Sequence, residues 1–233
     1  MKVLKLSLFT LAASLSSWAQ ADFIGLNADA SYWFYDGKVD TTKPVREHQS
    51  LDRDGAAQLS LSFEHPVPFL PNAKIKTVNL KADGKDAADA TASSSTELRH
   101  TDYILYYEIL DNVVSADIGL GLANLDGKTV FNRPTQSAQF DISGNQAIVY
   151  AAVGAKLPFT GLSAKGEAVY SNIQDVKLTD VQAEVQYNFV QNLMLDVGAK
   201  VGYRYTDIDF NKKNDASISY QFKGPYIGLN AHF

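Results

Sequence analysis

The most regular charged pattern in this 233-residue chain lies between residues 179 and 205. Asp180 and Glu184 alternate with apolar residues there, and after a short break Lys200 and Arg204 continue the alternation. Side chains two residues apart on a strand share a face, so carboxylates and cations collect on one side of a ribbon and apolar residues on the other. Such a charged face can form ion pairs or attract small ions.

Alternation along the rest of the chain adds further charged residues that share the polar face of their strands. The whole set is Asp29, Glu64, Glu108, Asp117, Lys156, Lys165, Glu167, Asp180, Glu184, Asp196, Lys200 and Arg204. Opposite charges inside a poorly hydrated interior must pair, because an unpaired ion there costs several kcal/mol. The set therefore predicts either an interior closed by salt bridges or a narrow hydrated path, and its acidic excess would favour cations.

Long strands are needed to position this set. Residues 179–205 predict two strands of about eleven residues or more, which is long enough to cross a bilayer at a tilt. The same pattern predicts about ten strands in all, so the fold class is all-β, a transmembrane up-and-down antiparallel β-barrel. Short turns are expected at His65–Asn72, Leu110–Asn112, Pro158–Gly161 and Val190–Asn192. The other connections are expected to be mostly long and polar: long loops at Lys38–Asp54, Asp83–Arg99 and Asn124–Asn145, a short loop at Asn172–Leu178 and a loop at Asp207–Ala216.

In an up-and-down barrel every short turn lies on the rim that carries both termini, and every long loop lies on the other rim. The third strand, Ala73–Ala82, departs from simple alternation, because Lys74, Lys76, Val78 and Leu80 share a face. A bulge or change of register is expected there, near Thr77.

Alternation alone leaves open which face looks outward. In a soluble lipocalin-like binding barrel the apolar face would line a ligand cavity and the charged face would meet water. Aromatic residues gather near the predicted strand ends, as at Tyr187, Phe189 and Tyr203, where amphipathic rings suit a membrane interface. This distribution favours an apolar face in contact with lipid.

Composition excludes several classes of protein. The chain has no cysteine, which removes disulfides, thiolate metal sites and thiol catalysis. Its formal net charge of -5 provides no basic field, so nucleic acid is not expected as a partner. His48 and His65 fall in connections without partners at metal-ligand spacing, so neither a metal site nor a cofactor is predicted.

The N-terminus has the organisation of a secretory signal peptide. Lys2 and Lys5 precede an apolar run from Leu6 to Leu15, and Ala19-Gln20-Ala21 is a small-x-small cleavage site. We expect residues 1–21 to be removed and residues 22–233 to form a single barrel domain.

The C-terminus carries a family resemblance. Residues 226–233 end in Phe233 after alternating apolar residues, with Gly228 five positions before the end. This resembles the assembly signal of bacterial outer-membrane proteins, although Ala231 and Tyr226 depart from its usual pattern. The resemblance implies a small Gram-negative outer-membrane β-barrel with a structural, surface-interaction or porin-like narrow-channel role. It also implies outer-membrane lipid, the barrel-assembly machinery and periplasmic chaperones as partners. The resemblance indicates no particular activity and leaves the oligomeric state open.

One enzymatic alternative comes from the omptin proteases, which are barrels of about ten strands that use carboxylate and Asp-His pairs near their outer rim. His100 and Asp102 share a face at the start of the fourth strand, and Asp207 and Asp209 follow the ninth. No omptin motif matches this chain residue by residue, so an enzyme is not the expected function.

Overall fold

The computed structural model describes residues 24–41, 47–67, 69–85, 91–134, 136–173, 175–192, 194–211 and 217–233. The expected signal peptide, residues 1–21, lies outside these described residues. Ten strands make up the fold: β1 (Gly25–Thr41), β2 (Glu47–Glu64), β3 (Asn72–Lys85), β4 (Ser93–Asp111), β5 (Val114–Arg133), β6 (Gln136–Lys156), β7 (Leu162–Ile173), β8 (Val176–Gln191), β9 (Asp196–Asn211) and β10 (Ser217–His232).

The strands form a closed up-and-down barrel. Each strand pairs antiparallel with its neighbours in sequence, and β1 closes the barrel against β10 in a register from Asn27 opposite His232 to Thr41 opposite Ile218. Closure satisfies backbone groups that an open sheet would leave at its edges. The predicted fold class and strand number are confirmed. Among the described residues, no helix is long and apolar enough to cross a membrane.

The short turns lie on the expected rim of the barrel, but the connections on the other rim are shorter than expected. The four predicted short turns all join adjacent strands on the rim that carries the chain's C-terminus. The predicted long loops are wrong over most of their length, since β3 continues to Lys85 and β4 already begins at Ser93. These segments are polar because their outer face meets water, while their inner face is covered; Ala92 and Leu98, for example, are fully buried.

An uninterrupted apolar band surrounds the barrel next to the rim with the short turns. Its outward residues include Leu61, Leu105, Leu120, Val153, Val185, Val201 and Leu229, each about half exposed or more. On β8 and β9 the band is five outward residues deep, which corresponds to about 25 Å at the usual tilt and matches an outer-membrane hydrocarbon layer. Among the described residues no charged side chain faces outward within it.

The outer face becomes polar at one level around the barrel. The first polar outward residues above the band are Asp36, Thr77, Thr101, Asn124, Asn145, Asn172, Thr179, Asp207 and Lys223. Several of these are direct cross-strand partners, such as Thr77 with Thr101 and Asn124 with Asn145. We call the part of the wall below this ring the membrane segment and the part above it the projecting segment.

The inner face changes in the opposite sense near the same level. On β3, Lys74 and Lys76 face the lumen of the membrane segment, and Val78 and Leu80 face the interior of the projecting segment. The change of register expected near Thr77 is found on the β2 side, between Leu51 opposite Gly84 and Gln58 opposite Val78, whereas the β3–β4 register is continuous from end to end, so β3 itself has no bulge. The apparent break in alternation is instead the point at which a polar interior becomes an apolar one.

Candidate functional site: the charged lumen

All the charged residues predicted to share an inner face point into the lumen. Ten of them line a cavity of about 440 Å³ that extends to the short-turn rim: Asp29, Glu64, Glu108, Asp117, Lys156, Lys165, Glu167, Glu184, Asp196 and Lys200. Asp180 and Arg204 are buried above this cavity. These positions follow from strand alternation, since each alternates with a residue on the lipid-facing side. We call this cavity the vestibule.

The centre of the lumen is a guanidinium–carboxylate pair joining β8 and β9. Arg204 Nε donates to Asp180 Oδ1 at 2.9 Å, and the second carboxylate oxygen accepts from Nη2. Arg204 Nη1 donates to Gln58 Oε1 at 2.6 Å, and the guanidinium carbon lies 4.8 Å from the centre of the Trp33 ring. The bidentate geometry and the stacked ring satisfy the planar cation on several sides although only 1% of Arg204 is exposed.

Two lysines of β3 extend this pair into a network. Lys76 Nζ lies 2.8 Å from Glu167 Oε1 and 3.5 Å from Asp180 Oδ2, so it links carboxylates from β7 and β8. Lys74 Nζ pairs with the other oxygen of Glu167. Sequence reasoning missed both lysines, because their place beside Val78 on one face of β3 was interpreted as a break. Their alternation with Ile75 was the signal that could have identified them.

A second network lies nearer the vestibule. Lys200 Nζ pairs with Asp29 and, at 2.8 Å, with Glu184 Oε2. The hydroxyl of Tyr226 donates to the same Glu184 oxygen at 2.6 Å. Gly202 makes room for this ring, because a Cβ at that position would lie 2.4 Å from Tyr226 Cζ.

His100 and Asp102 do not lie at the outer rim. His100 Nε2 and Asp102 Oδ1 are 2.8 Å apart, both residues are almost fully buried, and His100 Nδ1 lies 4.0 Å from Asp180 Oδ2. Asp207 and Asp209 belong to the outward face of β9. The four residues of the omptin-like alternative therefore lie on opposite sides of the wall and do not form one site.

The group His100, Asp102 and Asp180 contains three potential metal-ligand atoms within 4.8 Å of one another. The carboxylate of Asp180 is, however, already bonded by Arg204 and approached by Lys76. Glu167 next to this group is likewise paired with Lys74 and Lys76. A divalent cation would have to displace a protein cation.

Above the network, apolar side chains occupy the interior of the projecting segment. Leu98, Leu125, Leu178, Ile208 and Phe222 are all fully buried there. Tyr220 also lies among them and shares a 2.7 Å hydrogen bond with Thr129 Oγ1, and its burial raises the pKa of the Tyr220 hydroxyl. We call this apolar filling the plug. The lumen is thus open at the short-turn rim, charged in the middle and apolar toward the other rim.

The C-terminal residues close the barrel at the short-turn rim. Phe233 and Leu26 exchange two backbone hydrogen bonds of 2.9 and 3.1 Å, and the Phe233 ring is 55% exposed at the edge of the apolar band. Gly228 faces inward against Ser31, where an added Cβ would lie 2.3 Å from Ser31 Oγ. Both residues of the predicted assembly signal are thus adjacent to β1.

Comparison with known proteins identifies the fold. No protein-family model and no curated protein matches the sequence. The outer membrane protease OmpT from Escherichia coli superposes with a TM-score of 0.59 at 12% identity, over 92% of this chain and 98% of that one. The chain has the fold of outer-membrane β-barrels. Its lipid-facing apolar band and charged lumen are the reverse of a soluble lipocalin-like barrel, so that alternative is wrong.

Two autotransporter structures also match over almost the whole chain. The translocator domain of NalP from Neisseria meningitidis has a TM-score of 0.45 at 10% identity, covering 97% of this chain and 95% of that one. The transport unit of AIDA-I from Escherichia coli has a TM-score of 0.43 at 9% identity, with the same coverage. In outer-membrane barrels in general the short turns lie on the periplasmic side, and in this chain that is the rim at which the vestibule opens.

Proposed function

We propose that the protein is a non-conducting outer-membrane barrel that holds a rigid β-wall at the cell surface for interaction with other molecules. The observation that supports this most directly is the plug. Ions and water avoid an apolar constriction, and the fully buried Leu98, Leu125 and Phe222 occupy the interior above the charged network. The vestibule is then a closed-ended cavity, and the charged network stabilises the scaffold.

Ion conductance in planar bilayers tests this proposal. The purified full-length barrel should insert without giving current steps of reproducible amplitude. A double variant, Leu98→Ala with Leu125→Ala, removes plug volume and should give measurable current, whereas Leu120→Ala on the lipid-facing side of the same β5 should not. Steady steps of fixed amplitude from the unaltered protein would overturn the proposal.

A narrow cation path is the second candidate, and the vestibule favours it. Asp117 and Lys165 line this cavity, and neither forms an ion pair within 4.0 Å with another described residue. Acidic side chains outnumber basic ones among the vestibule residues, so a conducting state would select cations. In that case Asp117→Asn should reduce the cation preference measured as a reversal potential in a salt gradient, and Lys165→Gln should increase it.

We propose further that the chain is exported and assembled as other outer-membrane barrels are. The leader-like residues 1–21, and Gly228 and Phe233 beside β1, support cleavage after Ala21 and recognition by periplasmic chaperones and the barrel-assembly machinery. N-terminal sequencing of the membrane-inserted protein should begin at Asp22. Phe233→Ala should reduce the heat-modifiable folded fraction in cells while leaving refolding into detergent micelles nearly unchanged. Equal losses in both settings would indicate a packing role instead.

We propose that this function includes no omptin-like proteolysis. The separation of His100 and Asp102 from Asp207 and Asp209 by the barrel wall supports this. Purified barrel in lipopolysaccharide-containing micelles should leave an unfolded protein substrate intact. Cleavage by the unaltered barrel that disappears in Asp209→Ala would contradict it.

A further inference from the structure

The strongest unassigned feature is a gap in the projecting segment beside β6. The β6–β7 ladder ends at Val149 opposite Tyr170, whereas β6 pairs with β5 along its whole length up to Gln136 opposite Arg133. Residues 136–148 therefore present one backbone edge that no described strand covers. The neighbouring β7–β8 hairpin is the cause, because β7 already ends at Ile173 and β8 begins at Val176.

This edge lacks the features that usually protect an exposed strand. Its outward residues Ser137, Gln139, Asp141, Ser143 and Asn145 include one charge and no lysine, and no proline interrupts it. The β5–β6 register is continuous throughout, so no bulge bends the edge away. An edge of this length without such protection is a template for pairing with another strand.

The interior face of the gap is apolar and incompletely covered. Ile173 belongs to the lumenal face of β7, opposite Val176, yet it is 46% exposed. Phe140 and Phe210 face inward on either side and are only partly buried against the plug. Gly144 also faces inward, and a Cβ built there would have no neighbour within 4 Å. The gap thus combines unpaired backbone, exposed apolar side chains and open space.

We propose that this gap, residues 136–148 of β6 with Ile173, Val176 and Phe210, binds an extended polypeptide segment of another protein as an added strand. The segment would run antiparallel to β6 in line with β7. Its backbone would complete the β6 ladder, and alternate apolar side chains would cover Ile173 and the space over Gly144. The proposal goes beyond the surface role inferred above by naming the surface and the chemistry of its partner.

A second copy of this chain fits the gap poorly. All copies enter the membrane the same way up, so their β6 strands would run in parallel, and a two-fold axis along the membrane normal would place like backbone groups opposite one another. A strand from a flexible external segment has no such restriction. The occupant is therefore a separate extended polypeptide with alternating apolar and polar residues.

Binding of a synthetic strand tests this inference. The probe is a soluble fluorescent peptide of alternating valine and threonine with terminal lysines, long enough to cover residues 136–148, added to the full-length barrel in detergent micelles. Anisotropy should show saturable binding. Ile173→Glu places a charge on the inner face of the gap and should weaken binding by about tenfold or more. The matched control, Asn172→Glu, adds the same charge on the outer face one residue away and should bind as the unaltered barrel does.

Hydrogen exchange distinguishes the gap from other peptide-binding surfaces. Saturating peptide should slow exchange of alternate amides within residues 137–148 and leave the β1–β2 hairpin unchanged. Equal affinity for both glutamate variants, or no added protection in residues 137–148, would overturn the inference. It would also be overturned if, in the free barrel, the amides of residues 137–148 that point away from β5 were already protected from exchange, since the edge would then be covered by the chain itself. None of these results depends on whether the lumen conducts.

Discussion

The membrane segment and the projecting segment use the same ten strands with opposite sidedness. In the membrane segment, Leu120 faces outward and Asp117 inward on β5; in the projecting segment, Lys128 faces outward and Leu125 inward on the same strand. Each segment puts apolar side chains where its surroundings require them, against lipid in one case and in a water-excluded interior in the other. The environment changes at the ring of polar residues, and the strands continue across it without interruption.

The membrane segment and the projecting segment are therefore stabilised by different interactions. The interior of the membrane segment consists of buried ion pairs and hydrogen bonds, whose loss leaves an uncompensated charge. The interior of the projecting segment is an ordinary apolar core, whose weakening creates a cavity. Outside, the membrane segment cannot accept a charge, whereas the projecting segment already carries many.

The largest expected effect is the loss of the central cation in the membrane segment. Arg204→Met leaves Asp180 and Gln58 buried without their main partner, so we expect a loss of about 3–5 kcal/mol in the free energy of unfolding. Urea titration in lipid vesicles, followed by fluorescence, measures it, and Trp33 reports directly because its ring lies 4.8 Å from the guanidinium carbon.

Arg53→Met in the projecting segment is the matched control. Arg53 pairs with Asp36 at 2.9 Å, and this exposed partner raises the pKa of the Arg53 guanidinium, but its side chain is 78% exposed. No resolvable change in unfolding is expected. Equal losses in the two variants would show that burial of the pair is not what separates the segments.

A cavity in the plug should have the next largest effect. Leu125→Ala removes a fully buried side chain from the projecting segment, so we expect a loss of about 2–5 kcal/mol in the same urea titration. Leu120→Ala removes the same atoms from the lipid face of β5, where lipid chains fill the space, and should cost less. A larger loss for Leu120→Ala would reverse the assignment of inner and outer faces on this strand.

A lysine on the outer face should destabilise the membrane segment but not the projecting segment, with a slightly smaller loss in the free energy of unfolding than the plug cavity. Val201→Lys places a cation near the middle of the apolar band, which we expect to cost about 2–4 kcal/mol. Ser219→Lys places it on the outer face of the projecting part of β10 and should be tolerated. Heat-modifiable migration and urea titration measure both variants, and a tolerated Val201→Lys would mean that β9 does not face lipid there.

Much of this division could be predicted from alternation, because strand period and length survive in any environment. The inward placement of Glu184 and Lys200 followed from it directly. The projecting strands could not be recognised, because polar composition in residues 83–99 resembles a loop when the apolar partners lie on other strands. His100 and Asp102 were assigned to the rim for the same reason. The level at which each strand leaves the membrane depends on how all ten strands are aligned in the closed barrel. It could therefore not be predicted from the alternation pattern of one strand.

The smallest effect concerns a charge pair of the projecting segment. Lys81 Nζ lies 3.1 Å from Glu97 Oε1, and this contact lowers the pKa of the Glu97 carboxyl. A carboxyl whose pKa is lower in the folded state stabilises the protein above its unfolded-state pKa, and this contribution is lost as the pH falls through the folded-state value. The side chains are 62% and 46% exposed, so solvent and salt screen the pair.

We therefore expect Glu97→Gln to unfold at the same urea concentration as the unaltered barrel at neutral pH, and at acidic pH as well. Any difference should be greatest at neutral pH and disappear in acid, because the unaltered carboxyl is then protonated. Glu167→Gln is the contrasting variant, since it removes the charge between the buried Lys74 and Lys76 and should lower the urea midpoint clearly at neutral pH. If Glu97→Gln lowered the midpoint as much as Glu167→Gln, an exposed charge pair on the outer face would contribute as much as a buried pair in the lumen, and burial of the pair would not determine its contribution to stability.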